Sequence, residues 1–462
     1  MGTTKSPCHH RISLIAGESK TVSNSSNEVS IIGGGLAGCE AAWQLARRGH
    51  RVKLFDMKPV KFSPAHESEN LAELVCSNSL RSADPHSAVG LLKDEMRTLD
   101  SLIMKAADET AVPAGKALAV DREQFAEKIS STLSNHRLIH IVREEIITLP
   151  DDHNSLTILA TGPLTSEPLA ESLAEFTGES RLYFYDAIAP ILYTESLDME
   201  VIYQKSRYDD GPGDYLNCPL QESDYLQLID SLNTARYTPL HDFEEVKYFK
   251  GCLPIEVMSA RGVDTLRYGP MKPVGLENPR NNEQPYAVVQ LRKENKEATL
   301  YNMVGFQTKL TRGEQERILR RIPGLERAEF ARFGSIHRNT FICGPEILLP
   351  TLQTRKNPAL LVAGQLSGVE GYVESTAMGL LAGINGARLQ QNSEALVPPP
   401  ETALGALINH LTATDPNNFQ PSNVNFGLFP AWEKKVAKRL RGQIRAERSK
   451  TALKKWLEEN RI

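Results

Sequence analysis

Short apolar runs that end in glycine set the first picture of the chain. Val29-Ser30-Ile31-Ile32 reads as a buried strand and runs into Gly33-Gly34-Gly35-Leu36-Ala37-Gly38. The pattern then turns helical to about Arg48, with Gly49 in a C-cap position. Arg51-Val52-Lys53-Leu54-Phe55 alternates as a second strand and stops at Asp56, which completes a βαβ unit in fewer than 30 residues. A later strand, Leu156–Ala160, reaches Thr161-Gly162-Pro163. Another, Ala359–Ala363, reaches Gly364 and precedes a long small-residue helix from about Tyr372 to Leu389. The Gly- and Pro-dotted region between them has strand-like runs of its own and reads as an insertion. Pro398-Pro399-Pro400 marks a linker before the last helices.

The expected fold is α/β: a Rossmann-type dinucleotide-binding domain of the glutathione-reductase kind, with an inserted α+β domain and a helical C-terminal segment. Its expected division is a disordered extension over 1–27, the first part of the nucleotide domain over 28–182 and the insertion over 183–330. The second part of the nucleotide domain follows over 331–397, and a C-terminal helical segment with a basic end over 398–462. Cys8, His9 and His10 fall in the extension and have no partner cluster in the sequence, so no metal site is expected.

Composition narrows the class. The 462 residues are 40% hydrophobic and 24% charged, no stretch of 18 apolar residues occurs, and the N-terminus lacks an apolar signal core. Six cysteines without CxxC spacing exclude a disulfide scaffold and a zinc ribbon. A soluble, cytoplasmic protein is expected. Net charge is −4 but unevenly spread: the last 29 residues carry +8 and residues 1–433 carry −12. A cationic end on an acidic body can dock phosphates locally, although a solvated surface helix has the same charge pattern.

The glycines carry the first chemistry. A dinucleotide pyrophosphate needs backbone N–H groups at close range and a helix N-terminus aimed at it. Gly33 allows the tight turn, Gly35 leaves room for the phosphates, and Gly38 lets helix and strand pack closely. Gly34, Leu36 and Ala37 complete the loop, and Asp56, 18 residues after Gly38, accepts hydrogen bonds from ribose hydroxyls. FAD is preferred to NAD because of a distant match, Gly364 to Tyr372, where a glycine-rich loop enters a helix. The N–H groups of such a helix start, with Gly364, Gly371 and Tyr372, suit the negative charge of a reduced isoalloxazine. No second GxGxxG is present, so NAD(P)H is expected to bind transiently, without a Rossmann domain of its own.

Taken together these blocks resemble a known family, the folate- and FAD-dependent tRNA (uracil-5-)-methyltransferases (TrmFO). The resemblance runs from about Val29 to about Pro430. It is carried by Ile31–Ala42, Leu74-Val75-Cys76-Ser77-Asn78-Ser79-Leu80-Arg81-Ser82, Tyr183–Pro190, Phe249-Lys250-Gly251-Cys252-Leu253-Pro254-Ile255-Glu256, Leu300–Thr308, Gly371-Tyr372-Val373-Glu374-Ser375-Thr376-Ala377-Met378-Gly379 and Phe419–Gly427. Two departures, Asp56 and Lys58 where the family pattern has Glu and Arg, keep the charge.

The resemblance implies C5 methylation of the T-loop uridine, tRNA position 54, to ribothymidine. The carbon comes from 5,10-methylenetetrahydrofolate, and reduction from FADH2 regenerated by NAD(P)H. C5 of uracil is a poor nucleophile, and a thiolate added at C6 makes the ring an enolate whose C5 attacks a one-carbon electrophile. A base then takes the C5 proton, the thiol leaves, and hydride completes the methyl group. The resemblance places the two functional cysteines at Cys76 and Cys252. Cys252 is assigned as the C6 nucleophile, with Lys250 and the N–H groups near Gly251 lowering its pKa. Cys76 then acts at C5 or at the flavin-bound carbon, as acid/base or covalent partner. Cys39, Cys218 and Cys343 read as small buried residues.

The target base must leave its stack, and Tyr185, Tyr301 and Phe306 are candidates to receive it, although core packing is the preferred reading of each. Arg81, Arg97, Lys205, Arg207, Arg261 and Arg267 could position the RNA backbone, although each by itself reads first as a surface salt-bridge partner. No membrane and no obligate protein partner are expected, and the oligomeric state is open. The rivals are flavin-dependent modification of another uridine, in the tRNA wobble position or ribosomal RNA, and a small-molecule flavin oxidoreductase. A non-catalytic flavin-dependent RNA binder would keep the glycine loops without needing Cys76 and Cys252.

Overall fold

The computed structural model describes residues 28–150, 155–178, 182–207, 213–238, 253–432 and 436–462 and, of residues 182–186 and 338, the backbone alone. β1 (Glu28–Ile32) is the middle strand of a five-stranded parallel sheet. The order across it is Leu360–Val362, Thr157–Leu159, β1, β2 (Arg51–Asp56) and Ile139–Arg143, with every pairing parallel. The chain passes from β1 to one side, to β2, and later returns to the other side at Thr157–Leu159. The crevice beyond the carboxyl ends of these strands is therefore the topological switch point, where α/β sheets of this kind bind ligands.

Helix α1 (Leu36–Ala46) follows β1 and lies against the long helix Tyr372–Gln390. A Cβ on Gly379 would stand 2.2 Å from the Ala37 carbonyl oxygen, and one on Gly383 would stand 2.7 Å from that of Ala41. The two helices thus meet backbone to backbone, which is why the second is written in small residues. Both are buried in one continuous core with the sheet.

The insertion is built on a six-stranded antiparallel sheet, ordered Tyr203–Gln204, Tyr215–Leu220, Ala287–Lys293, Leu300–Met303, Ile191–Tyr193 and Phe330–Arg332. It has its own core, closed by the helices Glu222–Asn233 and Arg312–Leu319. The chain leaves and returns through one antiparallel ribbon, with Leu182–Ile188 paired to Ser335–Phe341. This is the α/β class expected from the pattern, a Rossmann-type sheet with a mixed insertion. The helix Ala403–Ala413 belongs to the first core and not to a separate C-terminal unit, because Leu404, Leu407, Ile408 and Leu411 are buried there. Among the described residues, no helix is long and apolar enough to cross a membrane.

Candidate flavin and thiol site

The loop after β1 has the shape a dinucleotide requires. Gly33 has φ +111°, and a Cβ there would lie 2.5 Å from the Ala160 carbonyl oxygen, so the two strand ends touch through glycine. A Cβ on Gly38 would fall 1.8 Å from the Gly33 oxygen. At Gly35 the position of a Cβ has no atom within 4 Å, and no side chain caps α1. The first N–H groups of α1 therefore face open space, the arrangement that receives phosphates. Asp56 is buried at the end of β2, where burial raises its pKa. Its Oδ1 accepts the Lys58 N–H at 2.8 Å, and its Oδ2 stands where a Cβ on Gly34 would be. Gly33, Gly34, Gly35 and Asp56 line a cleft that also reaches Gly364, Tyr372 and Ser375. The glycine turn, the uncapped helix start and the buried acid at the end of β2 suit a dinucleotide such as FAD.

Tyr372 connects this cavity to a thiol. Its side chain comes from the first turn of the long helix, behind Gly371, whose φ of +111° turns the chain into it. The phenol oxygen accepts the N–H of Cys76 at 2.8 Å and that of Ser77 at 3.3 Å, and it lies 3.0 Å from Cys76 Sγ. Burial, and then the neighbouring thiol, push the phenol well above its usual range. It keeps its proton, and with two N–H groups already on the oxygen that proton is directed at the sulfur.

Two buried guanidinium groups stand near the same sulfur. Arg122 donates to Glu294 at 3.0 Å and to the Leu74 carbonyl. Burial opposes its charge, but Glu294, Tyr372 and Cys76 hold its pKa above the usual value. Arg292, on the Ala287–Lys293 strand, donates to Asn78 Oδ1 at 3.0 Å and Ser77 Oγ at 2.7 Å, and burial lowers its pKa. The segment after Cys76 is thereby tied to the insertion, and Asn78 Nδ2 adds a bond to the Lys293 carbonyl at 2.8 Å. Glu374, one turn after Gly371, is fully buried; its Oε1 accepts from Arg81 at 2.7 Å and from the Val424 N–H at 2.9 Å. In Gly371-Tyr372-Val373-Glu374 the Gly makes the turn, the Tyr reaches the thiol and the Glu anchors Arg81.

Cys252, Lys250 and Gly251 lie outside the described residues, as do Cys8, His9 and His10. Cys39, Cys218 and Cys343 are buried, as expected for small core residues. Tyr301 and Phe306 take the core reading and not the base-stacking one: at 5% and 1% exposure they are core residues of the insertion. Of Tyr185 only the backbone is described. Arg97 is spent on Asp94 and Asp108, Lys205 on Glu277, and Arg267 stacks over Tyr286, whereas Arg81 stands beside the site. Sequence reasoning missed Arg122 and Arg292. The one signal for Arg292 is its place in a strand buried from Ala287 through Arg292, which forces a buried cation to find partners. His66 was also missed. It lines the cavity, and burial together with Lys58 and Arg332 lowers its pKa to about 3, so it stands as a neutral imidazole.

A family model described as glucose inhibited division protein A matches residues 28–394. A relative from Desulfotalea psychrophila, named methylenetetrahydrofolate–tRNA-(uracil-5-)-methyltransferase TrmFO, is 65% identical over 95% of this chain and 99% of its own length. One of the same name from Syntrophus aciditrophicus is 56% identical over 94% of this chain and 98% of its own. Among solved structures, Aquifex aeolicus GidA superposes with a TM-score of 0.67 at 18% identity, covering 94% of this chain and 74% of that one, a likeness of fold.

Proposed function

The chain belongs to the glucose inhibited division protein A family and, within it, to the methylenetetrahydrofolate–tRNA-(uracil-5-)-methyltransferases, and from that premise we propose that its target is the T-loop uridine at tRNA position 54. The enzyme is a flavoprotein that methylates C5 of a tRNA uracil with carbon from methylenetetrahydrofolate. Bound in the cavity and reduced, FAD supplies the hydride that the methyl group needs, with NAD(P)H as its source of electrons. Gly33 to Gly38 and Asp56 hold the nucleotide end, and Gly364, Gly371 and Tyr372 the ring end.

The observation that carries the catalytic reading is Cys76 Sγ 3.0 Å from the phenol oxygen of Tyr372, a residue that itself lines the cleft beside the glycine loop. Tyr372 donates to the sulfur, and Arg122 and Arg292 place positive charge near it, so this pocket favours the thiolate. Cys76 is then a base, acid or covalent partner at C5 or at the carbon being transferred. Cys252 is the nucleophile at C6: its thiolate forms the C6–S bond and the electron pair moves to C5, which bonds to the one-carbon unit; loss of the C5 proton expels the carrier amine and leaves an exocyclic methylene, and hydride added to that methylene expels the Cys252 thiolate and restores the C5–C6 double bond. Pro254 caps the short helix Ile255–Ser259 just beyond it, and Glu256 of that helix is buried and bonded to Thr308.

The test is nucleoside mass spectrometry of an unmodified tRNA transcript incubated with holoenzyme, NAD(P)H and carbon-labelled methylenetetrahydrofolate. Labelled 5-methyluridine at position 54 is expected from the parent, and none from Cys76→Ala or Cys252→Ala at unchanged FAD content. Label at another uridine would overturn the T-loop assignment, and full activity in either variant would overturn that cysteine's role.

A further inference from the structure

The last helix, Arg441–Asn460, has one buried face and one cationic face. Ala446, Ser449, Leu453 and Trp456 are buried, and Ser449 Oγ donates to the buried Glu95 at 2.6 Å, so the helix is fixed to the body. Its other side, with the turn before it, presents Lys438, Arg439, Arg441, Arg448 and Lys450 to solvent. From 436 to 450 there are six cations and one acid, Glu447. Among the described residues, Lys438, Arg439, Arg441, Arg445 and Arg448 make no salt bridge. The pairs on this helix are Lys450 with Asp94 and, toward its far end, Lys454 with Glu458 and Lys455 with Glu459.

Aromatic rings are set into this charge. Arg445 lies over Trp432 at 4.4 Å, Phe429 at 5.2 Å and Phe426 at 5.7 Å, and Arg448 lies over Trp432 at 5.2 Å. Burial, and then repulsion from Arg448 and Arg441, lower the pKa of Arg445. A concentration of like charge of this kind costs the folded protein free energy that an anionic partner returns.

The cluster is joined to the site by two routes. The segment carrying Phe426 hangs on the long helix through Val424 and Asn423, which bond to Glu374 and to the Glu370 carbonyl. Gly442 packs so closely on the His86 carbonyl that a Cβ would lie 2.4 Å from it. His86 stands four residues after the Ser79–Ser82 strand, which leads back through Arg81 to Cys76. Charge and rings in one ledge fit a nucleic-acid backbone better than an acidic protein surface, because phosphates take the cations and unpaired bases or riboses take the rings.

We propose that the N-terminal half of this helix, with the half-buried Phe426 and Trp432, is the rail on which the phosphate backbone of the tRNA substrate rests outside the flavin cavity. The inference rests on tRNA being the substrate. It specifies the contact as electrostatic and sequence-independent, a positioning surface separate from the thiols.

The test is the affinity of FAD-loaded, full-length protein for a fluorescent unmodified tRNA transcript, followed by anisotropy between ~50 and ~200 mM salt. Replacing Lys438→Gln, Arg439→Gln and Arg448→Gln together is expected to weaken binding about tenfold and to flatten the slope of log K against log salt by about two to three. KM for tRNA is expected to rise in step while kcat at saturating tRNA holds. Lys454→Gln with Lys455→Gln, at the acid-paired end, is expected to leave affinity within about twofold. Equal affinity and equal slope in the triple variant would overturn the rail. A parent that binds RNA in a manner sensitive to the triple variant, yet methylates no tRNA, would refute the functional reading and leave the rail standing. No RNA binding by the parent would overturn both.

Discussion

A phenol whose oxygen accepts two backbone N–H groups has one hydrogen left to give, and at Tyr372 that hydrogen faces the Cys76 sulfur. Such a donor stabilises the thiolate more than the thiol. Tyr372→Phe is therefore expected to raise the pH midpoint for alkylation of Cys76 by about one unit, which at neutral pH slows labelling several-fold. Peptide mass spectrometry of the holoenzyme across a pH series reads this directly, with the FAD absorbance as control. An unchanged midpoint would mean that Arg122 and Arg292 alone set the thiol's state.

At the scale of elements, one carboxylate holds three helices. Glu95, on the helix Ala88–Thr98, accepts from the Ala403 and Leu404 N–H groups at 2.7 and 2.9 Å, where another helix begins, and from Ser449 Oγ of the last helix. Burial pushes its pKa up and these three donors pull it down; burial wins, and the value stands at about 7. The folded state therefore binds this proton more tightly than the unfolded chain does. The contribution to stability is fully present below the unfolded pKa and is lost as pH rises to about 7, by about 3 kcal/mol for a shift of this size. The difference in unfolding free energy between the parent and Glu95→Gln is expected to move against the parent from pH 5 to pH 7.5 and then level off. Denaturant titrations at several pH values measure it, and a flat difference would show that Glu95 is ionised throughout.

For the whole molecule, the informative contact is between the two cores. The Cys76 loop belongs to the nucleotide-binding half, yet Arg292 of the insertion holds Ser77 and Asn78, and Arg122 reaches across to Glu294. Arg292→Met leaves those polar groups unpaired at a cost of about 1–3 kcal/mol. It is expected to reduce methylation about a hundredfold through misplacement of the thiol. FAD content should stay at the parent level, because the side-chain bonds of Arg292 go to Ser77 and Asn78 and not to the glycine loop. Turnover per bound flavin separates this from general unfolding, and parental turnover would show that Cys76 is held without the insertion.

The glycine loop, the acid at the end of β2 and the small-residue helix were legible in the chain because each is local. A tight turn, a phosphate-binding helix start and a close helix contact all demand particular residues at fixed short spacing, as Gly33, Gly38, Gly379 and Gly383 show. The α/β class followed from the same runs. The proposal for Cys76 and Cys252 came from a family pattern and not from their neighbours in sequence, since nothing near Cys76 along the chain announces Tyr372, 296 residues away. For Tyr301 and Phe306 only the structure chooses the core over base stacking, because an aromatic reads alike in sequence whether it faces a ligand or a core. Local order along the chain determined the glycine turn, the open helix start and the acid beside them. The environment of the thiol, its donor and its two cations come from three distant segments, and only packing the insertion against the sheet brings them to one atom.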